Sequence, residues 1–329
     1  MSVLICGGAG YIGSHNVRAF TAHGEDVIVI DNLATGHRAS LPENIKFYEG
    51  DIRDGLILDK IFTENNIEAV IHFCAFSLVG ESVEKPLKYF NNNVGGMISL
   101  LEAMQRNNVK RIIFSSTAAT YGEPDKIPIL ETDPTRPTNP YGESKLIMEK
   151  MIHWAGLQHN IKYVALRYFN VAGAWHDGSI GEDHHPETHL VPLILQVPLG
   201  KRKSITVYGN DYNTPDGTCI RDYVHVEDLA KAHIQALEYL RNGGSSNIFN
   251  LGSGDGYSVM EMINAAREAT GHEIPLEIGS RRAGDPARLV ADSHKAHEVL
   301  GWVPEITDMK DIIASAWKWH KSHPEGYKD

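Results

Sequence analysis

The first half of the chain alternates short, nearly uninterrupted apolar runs with longer stretches whose apolar residues recur at helical spacing. Runs at residues 3–6, 27–30, 46–48, 69–73, 111–115 and 163–167 read as strands, several of them rich in β-branched side chains. An unbroken apolar strand needs both faces covered, the condition of a parallel sheet between helical layers. Helical patterns at 12–23, 55–65, 94–107 and 141–159 supply those layers. The repeated alternation predicts an α/β fold, a doubly wound parallel sheet of the Rossmann type. Beyond Asn170 the texture changes, and the Gly-, His-, Asp- and Pro-rich stretch up to Thr218 reads as loops over the sheet's carboxyl edge. A helix at 226–240 and a short strand at 247–251 follow, then helical patterns at 259–270, 293–300 and 309–320. The expected division is a nucleotide-binding sheet domain over 1–172 plus roughly 220–250, and a smaller mixed, mainly helical lobe over 173–219 and 251–329. A ligand cleft belongs between them.

Composition narrows the partners. With 42% hydrophobic and 22% charged residues, the chain has the balance of an ordinary globular protein. The net charge is −11 and the longest basic run is Lys201-Arg202-Lys203, which argues against nucleic acid. Cys6, Cys74 and Cys219 are widely spaced and form no C-x-x-C pair, so neither a disulfide framework nor a thiolate zinc site is expected. The sequence reaches Val3-Leu4-Ile5 with no room for a leader pattern, and no apolar stretch is long enough for a membrane span. The expected location is the cytoplasm.

Gly7-Gly8-Ala9-Gly10-Tyr11-Ile12-Gly13 follows a strand and opens a helix. Gly7 permits the tight turn, Gly10 lets backbone approach a pyrophosphate, and Gly13 lets helix and strand pack closely. Free N–H groups at the helix start then face the phosphates. Asp31 ends the next strand, where a carboxylate accepts both ribose hydroxyls and repels a 2′-phosphate, favouring NAD over NADP. Asp51, just past the third strand, is placed to meet the adenine end. Tyr141 and Lys145 lie four apart at a helix start after Pro140, on one face. A neighbouring ammonium stabilises phenolate and makes tyrosine, with its pKa near ~10, a usable base. Ser115-Ser116-Thr117 ends the fifth strand, where Thr117 can hydrogen-bond a substrate hydroxyl.

These residues resemble the extended short-chain dehydrogenases/reductases and, more narrowly, the UDP-glucose (UDP-galactose) 4-epimerases. The resemblance runs along the whole chain. It includes Asp31-Asn32-Leu33, Gly80-Glu81-Ser82-Val83, Asn92-Asn93-Val94, the stretch from Leu166 to Gly173, Gly209-Asn210-Asp211-Tyr212 and the stretch from Arg221 to Val226. It implies a tightly bound NAD and a UDP-sugar substrate. Tyr141 would take the O4 proton, Thr117 would hold O4, and Lys145 would bridge the nicotinamide ribose. The implied cofactor surface comprises Gly7, Gly10, Tyr11, Ile12, Gly13, Asp31, Asn32, Leu33, Thr35, Gly36, Asp51 and Ile52. It continues through Phe73, Cys74, Ala75, Ser77, Asn92, Ser115, Tyr141, Lys145, Tyr168 and Phe169. The implied substrate surface takes Thr117, Asn170, His189 and Leu190, with Thr206, Val207 and Tyr208 beside the uracil. Arg221 and Arg282 would meet the diphosphate, Asp285 the UDP ribose, and Leu289 the sugar. The family also implies a homodimer packed through the helices at 94–107 and 141–159.

Three positions depart from the family pattern. Ser77 replaces a cofactor-contacting lysine, and His189 an asparagine beside the substrate. Leu289 replaces a bulky tyrosine and leaves volume beside sugar C2, which implies acceptance of N-acetylhexosamine nucleotides. His176, His184, His185 and His189 lie near Asp177, Glu182 and Asp183. Their spacing matches no catalytic zinc motif, so a solvated loop is expected, with adventitious zinc or nickel as the minor reading and no metal in the reaction. His225 is expected to be structural. Two rival functions remain at this point. A nucleotide-sugar 4,6-dehydratase needs an Asp-Glu pair after the strand-end threonine, where this chain has Ala118-Ala119. A non-enzymatic NAD-binding regulator would have no need of Tyr141 and Lys145.

Overall fold

The computed structural model describes residues 1–282 and 285–328. Six of the strands expected from sequence form: β1 (Ser2–Cys6), β2 (Asp26–Asp31), β3 (Lys46–Glu49), β4 (Ile67–His72), β5 (Arg111–Thr117) and β6 (Lys162–Tyr168). With the edge strand Asn247–Leu251 they make a seven-stranded sheet in the order Asn247–Leu251, β6, β5, β4, β1, β2, β3. Every pairing in it is parallel.

The uninterrupted apolar runs divide cleanly between the two faces. Val3 and Ile5 join one core with Val27, Val29, Ala69, Ile71, Val164 and Leu166. Leu4 and Cys6 join the other with Ile28, Ile30, Val70, Ile112 and Phe114. The first core is closed by the Tyr11–Ala22 and Val226–Arg241 helices through Val17, Phe20, Leu229 and Leu237. The second is closed by the Gly55–Glu64, Gly95–Arg106 and Pro140–His159 helices through Leu58, Met97, Leu100 and Met148. Each fully buried aliphatic side chain contributes roughly 1.5–3 kcal/mol, against about 0–1 kcal/mol for an exposed ion pair. The two apolar layers therefore carry the fold.

β1 and β4 are neighbours, but the chain proceeds from β1 outward one way and from β4 outward the other. The crevice at their carboxyl ends is the switch point where such sheets take ligands. Over the carboxyl edge, a third core joins the Leu190–Leu195, Val259–Thr270 and Met309–Ser322 helices to the parallel strands Ile205–Tyr208 and Leu276–Gly279. The stretch read as loops up to Thr218 thus contains a helix and a strand. Both are so short that their apolar residues repeat too few times to stand out from a short apolar run, which is why the pattern did not reveal them. Asn170–Ala172 and Tyr223–His225 pair in parallel, so the intervening segment leaves and rejoins the carboxyl edge at one place.

Candidate active site

The glycine turn sits at the switch point. Gly7 has φ +80°, and a Cβ there would stand 2.8 Å from the Cys74 backbone nitrogen. A Cβ on Gly13 would lie 2.0 Å from the Gly7 carbonyl oxygen. Gly10 differs: its Cβ would meet no heavy atom nearer than the Gly7 oxygen at 3.6 Å. No protein contact requires glycine at position 10, so the open space outside it suits a phosphate approaching the helix start. Asp31 completes the cradle. Its Oδ2 accepts from Ala9 N at 2.9 Å and its Oδ1 from Leu33 N at 2.8 Å. Burial raises its pKa, and those backbone donors oppose the shift. The residues present therefore fit a dinucleotide.

The other sequence-derived cofactor residues surround this turn. Tyr11 is buried and donates to the Gly173 carbonyl at 2.7 Å, while Ile12 packs on the first core. Gly36 packs on Ala9, and Thr35 is exposed. Asp51 accepts from Asn32 Nδ2 at 3.0 Å, and its hydrogen bond from Arg53 holds its carboxyl down at about 2. Ile52 is buried. Phe73, Cys74 and Ala75 continue from β4, with Phe73 N donating to Cys6 O at 2.8 Å. Ser77 is exposed, and Asn92 donates to Asn93 Oδ1 at 3.0 Å.

Thr117 is the last residue of β5 and pairs in register with Tyr168 of β6. The Tyr168 hydroxyl hydrogen-bonds Ser115 Oγ, and the half-buried Phe169 follows. Asn139 caps the Pro140–His159 helix by accepting from Gly142 N at 2.9 Å, with Pro140 at the first helical position. Tyr141 thus stands in the first turn and Lys145 one turn later. A Cβ at Gly142 would come 2.5 Å from the Ala119 carbonyl oxygen, so the helix start lies directly on the turn after Thr117. The Thr117 hydroxyl lies near enough to the Tyr141 phenol to act on its ionisation. Burial pushes the Tyr141 pKa up, and the Thr117 bond pulls it back. Lys145 is only 3% exposed and donates to the Ser115 carbonyl at 2.7 Å. Burial pulls its pKa down to about 7, opposed by nearby Cys74 and Glu149.

Sequence reasoning missed the support beneath these groups. Buried Arg167 donates to Glu149 at 2.9 and 2.5 Å and to the Tyr121 hydroxyl at 3.0 Å. Ser116 donates to Glu149 at 2.5 Å, and Tyr121 to Asn250 at 2.7 Å. Asn93 donates to Ser144 at 2.9 Å and accepts from Phe76 N at 2.9 Å. An arginine within the apolar run of β6 was the available signal, since a buried guanidinium demands a carboxylate partner.

The expected substrate residues assemble on the overhanging lobe. Asn170 lies two residues beyond Tyr168 and donates from Nδ2 to the Asp222 carbonyl at 3.0 Å. Arg221 pairs with Asp285 and lies in register with Leu289 on the neighbouring strand. Thr206, Val207 and Tyr208 share the Ile205–Tyr208 strand, and the Arg282 guanidinium covers the Tyr208 ring at 4.2 Å. His189 precedes Leu190 at the start of the Leu190–Leu195 helix. His225 is structural: its Nε2 lies 3.0 Å from Ser315 Oγ, and its Nδ1 accepts from Glu227 N at 3.2 Å.

The solvated histidine loop needs correction. The His176 and His185 side chains are 68% and 84% exposed, but those of His184 and Glu182 are only 23% and 4% exposed. The difference lies in distant packing. Trp319 Nε1 donates to the Glu182 carbonyl at 3.3 Å, and the Tyr11 ring meets His184 edge-on at 6.3 Å.

Comparison with known proteins agrees with this geometry. Residues 3–252 match the NAD dependent epimerase/dehydratase family. A UDP-glucose 4-epimerase of Lacticaseibacillus casei is 60% identical over 329 residues, covering 100% of this chain and 99% of that one. A crystal structure of a UDP-glucose 4-epimerase superposes with TM-score 0.99 at 59% identity over 100% of both chains. The Bifidobacterium longum UDP-glucose 4-epimerase, solved with NAD⁺ and UDP, gives TM-score 0.94 at 42% identity over 99% of this chain and 100% of that one. The chain belongs to the NAD-dependent epimerase/dehydratase family and, within it, to the UDP-glucose 4-epimerases.

Lys145 yields a pH prediction. Its folded pKa near 7 lies below the unfolded lysine value, so between those values the unfolded chain binds the extra proton. Folding stability attributable to Lys145 therefore rises with pH across that window and is lowest below pH 7. In cofactor-free protein, Lys145→Met should flatten the rise, by on the order of a few kcal/mol across the window. Parallel pH-dependent unfolding curves of wild type and variant would disprove it.

Proposed function

We propose that the chain interconverts UDP-glucose and UDP-galactose by transient oxidation at sugar C4, using a tightly bound NAD. One observation carries the reading: the close seat of Gly142 on Ala119 sets Tyr141 against Thr117, with Lys145 buried one turn away. The glycine turn and Asp31 would hold the NAD, which when bound would supply a reversible hydride acceptor for C4. Tyr141, as phenolate, takes the O4 proton, and Thr117 holds O4 and relays that proton. The Lys145 ammonium stabilises the phenolate from a site where water screens it little. Lys145 would also hold the nicotinamide ribose. Arg221 and Arg282 hold the diphosphate, about which the 4-keto sugar turns to present its other face. Asn170, Asp285 and the Ile205–Tyr208 strand position the nucleotide. Ala118 and Ala119 carry no proton, so the elimination of water that a dehydratase performs has no acid or base here. In this reading residues 1–172 with 220–250 form the NAD-binding unit, and the remaining lobe receives the UDP-sugar.

Tyr141→Phe should lower turnover by about 10²–10⁴-fold while purified protein keeps its NAD, read from absorbance after denaturation. Wild-type turnover in the variant would remove Tyr141 from the proton transfer.

Leu289 supports a wider substrate range. It is a half-buried leucine beside Arg221, where a tyrosine would fill the space near sugar C2. The enzyme should turn over UDP-N-acetylgalactosamine as well as UDP-galactose. Leu289→Tyr should depress the first relative to the second by about 10–200-fold, the scale of a steric change in a pocket. Failure of wild type to turn over the acetylated substrate refutes the assignment.

The same reading makes the enzyme a homodimer. Ile98, Leu101, Ile147, Met151 and Trp154 line an open apolar groove between the Gly95–Arg106 and Pro140–His159 helices. Ile98, Trp154 and Leu157 are 46%, 69% and 66% exposed, more apolar surface than scattered residues leave. A second copy of the same two helices would cover it as a four-helix bundle. Light scattering should give twice the chain mass for wild type and the chain mass for Trp154→Glu. A monomeric wild type excludes the dimer.

A further inference from the structure

Four side chains outside the Tyr141 centre converge on one point. Glu182, His184, Glu187 and His189 each place a ligand atom within 4.8 Å of the others. They come from one short segment, in the order Glu-x-His-x-x-Glu-x-His. His184 Nδ1 lies 3.2 Å from Glu182 Oε1 and 3.8 Å from Glu187 Oε2. His189 Nδ1 lies 2.5 Å from Glu182 Oε1 and 3.7 Å from Glu187 Oε1.

A second observation distinguishes this group from a chance surface cluster. The Nδ1 atom of His184 is buried and, among the described residues, makes no well-aligned hydrogen bond, its near neighbour being Glu182 Oε1 at 3.2 Å. The two carboxylates are themselves sequestered, their side chains only 4% and 9% exposed. His189 and the Thr188 and His189 backbone donors compensate these carboxylates in part, and the poorly satisfied His184 nitrogen with the second carboxylate leaves room for a cation. A divalent cation at the centre satisfies both. Tetrahedral zinc with bonds of roughly 2.0–2.2 Å separates its ligand atoms by about 3.3–3.6 Å. The separations of 3.2, 3.7 and 3.8 Å lie just outside that range on either side, the two longer ones reaching different oxygens of Glu187, so a bound ion would draw the group together by a few tenths of an ångström. The fourth, 2.5 Å, is the His189–Glu182 hydrogen bond that the ion would replace.

We propose that Glu182, His184, Glu187 and His189 bind one divalent cation of the zinc class. Two imidazoles and two carboxylates suit zinc and its borderline neighbours better than magnesium or calcium, which prefer oxygen alone. The ion's task is structural. The His184 ring packs on Tyr11 of the dinucleotide turn, and the Glu182 backbone is held by Trp319 of the Met309–Ser322 helix. His189 leads directly into the Leu190–Leu195 helix. One ion therefore ties the segment between cofactor turn and substrate lobe to a fixed geometry.

The test uses full-length, NAD-containing protein without a polyhistidine tag, treated with chelator, dialysed and titrated with zinc chloride. Because the chain has 17 histidines, the readout is the difference between wild type and variants. Wild type should take up one more zinc per chain than His184→Ala or Glu187→Gln, with an affinity of about 1 µM or tighter. Its melting temperature should rise by several degrees with zinc, and those of the variants should not. Far-UV circular dichroism and retained NAD show that each variant is folded, and the isosteric Glu187→Gln guards against collapse at His184. Equal zinc uptake by wild type and folded variants, or no uptake by wild type, overturns the site. Neither readout involves epimerisation, so the result stands apart from the proposed activity.

Discussion

Backbone meets backbone at the switch point, with no room for a single added carbon. The Gly13 position faces the Gly7 carbonyl, and Gly7 faces the chain leaving β4. This contact sets how far the Tyr11–Ala22 helix stands from the sheet, and so where its free N–H groups point. It also places the end of β4 beside the end of β1, which opens the crevice used by the rest of the site. A similar contact recurs at Gly142 and Ala119, where it fixes the distance between helix start and β5. Both the cofactor cradle and the proton-transfer pair are thus located by missing side chains.

Polar groups beneath the crevice are arranged so that the exposed ones can be few. Glu149 takes hydrogen bonds from Ser116 and Arg167, while Tyr121 and Asn250 extend the network. Breaking such a buried pair by removing one partner leaves an uncompensated charge, which costs far more than the pair itself contributes. Its position is informative. Glu149 lies one helical turn beyond Lys145 and is one of the two groups that hold up the ammonium's pKa against burial. The network therefore keeps the helix seated and biases Lys145 toward its charged form.

The positions of the strands and the glycine turn were legible because they depend on local chemistry. Val3–Cys6 and its counterparts are apolar throughout, and Gly7, Gly10, Gly13 and Asp31 occupy positions fixed by their strands. Thr117, Tyr141 and Lys145 were legible for the same reason, one at a strand end and two on a single helical face. What escaped notice depends on distant packing. Arg288–Leu289 is a two-residue strand formed only because Ile220–Arg221 lies beside it. The segment Glu182–His189 looks solvated in sequence, since its polar residues give no sign that Trp319 and Tyr11 cover part of it. Glu149 resembles any polar helix position until β6 brings Arg167 beneath it.

The parallel pairing of Asn170–Ala172 with Tyr223–His225 has a consequence for divergence. It clamps both ends of the excursion over the carboxyl edge, so the chain between them behaves as a closed loop. The entropy of closing a loop grows only with the logarithm of its length, about 0.6 kcal/mol for each doubling. Insertions and deletions in the exposed turns between the clamps are therefore cheap, and they leave β5, β6 and the Pro140–His159 helix untouched. That segment can change the shape of the chamber it roofs while the proton-transfer groups stay fixed in the sheet below.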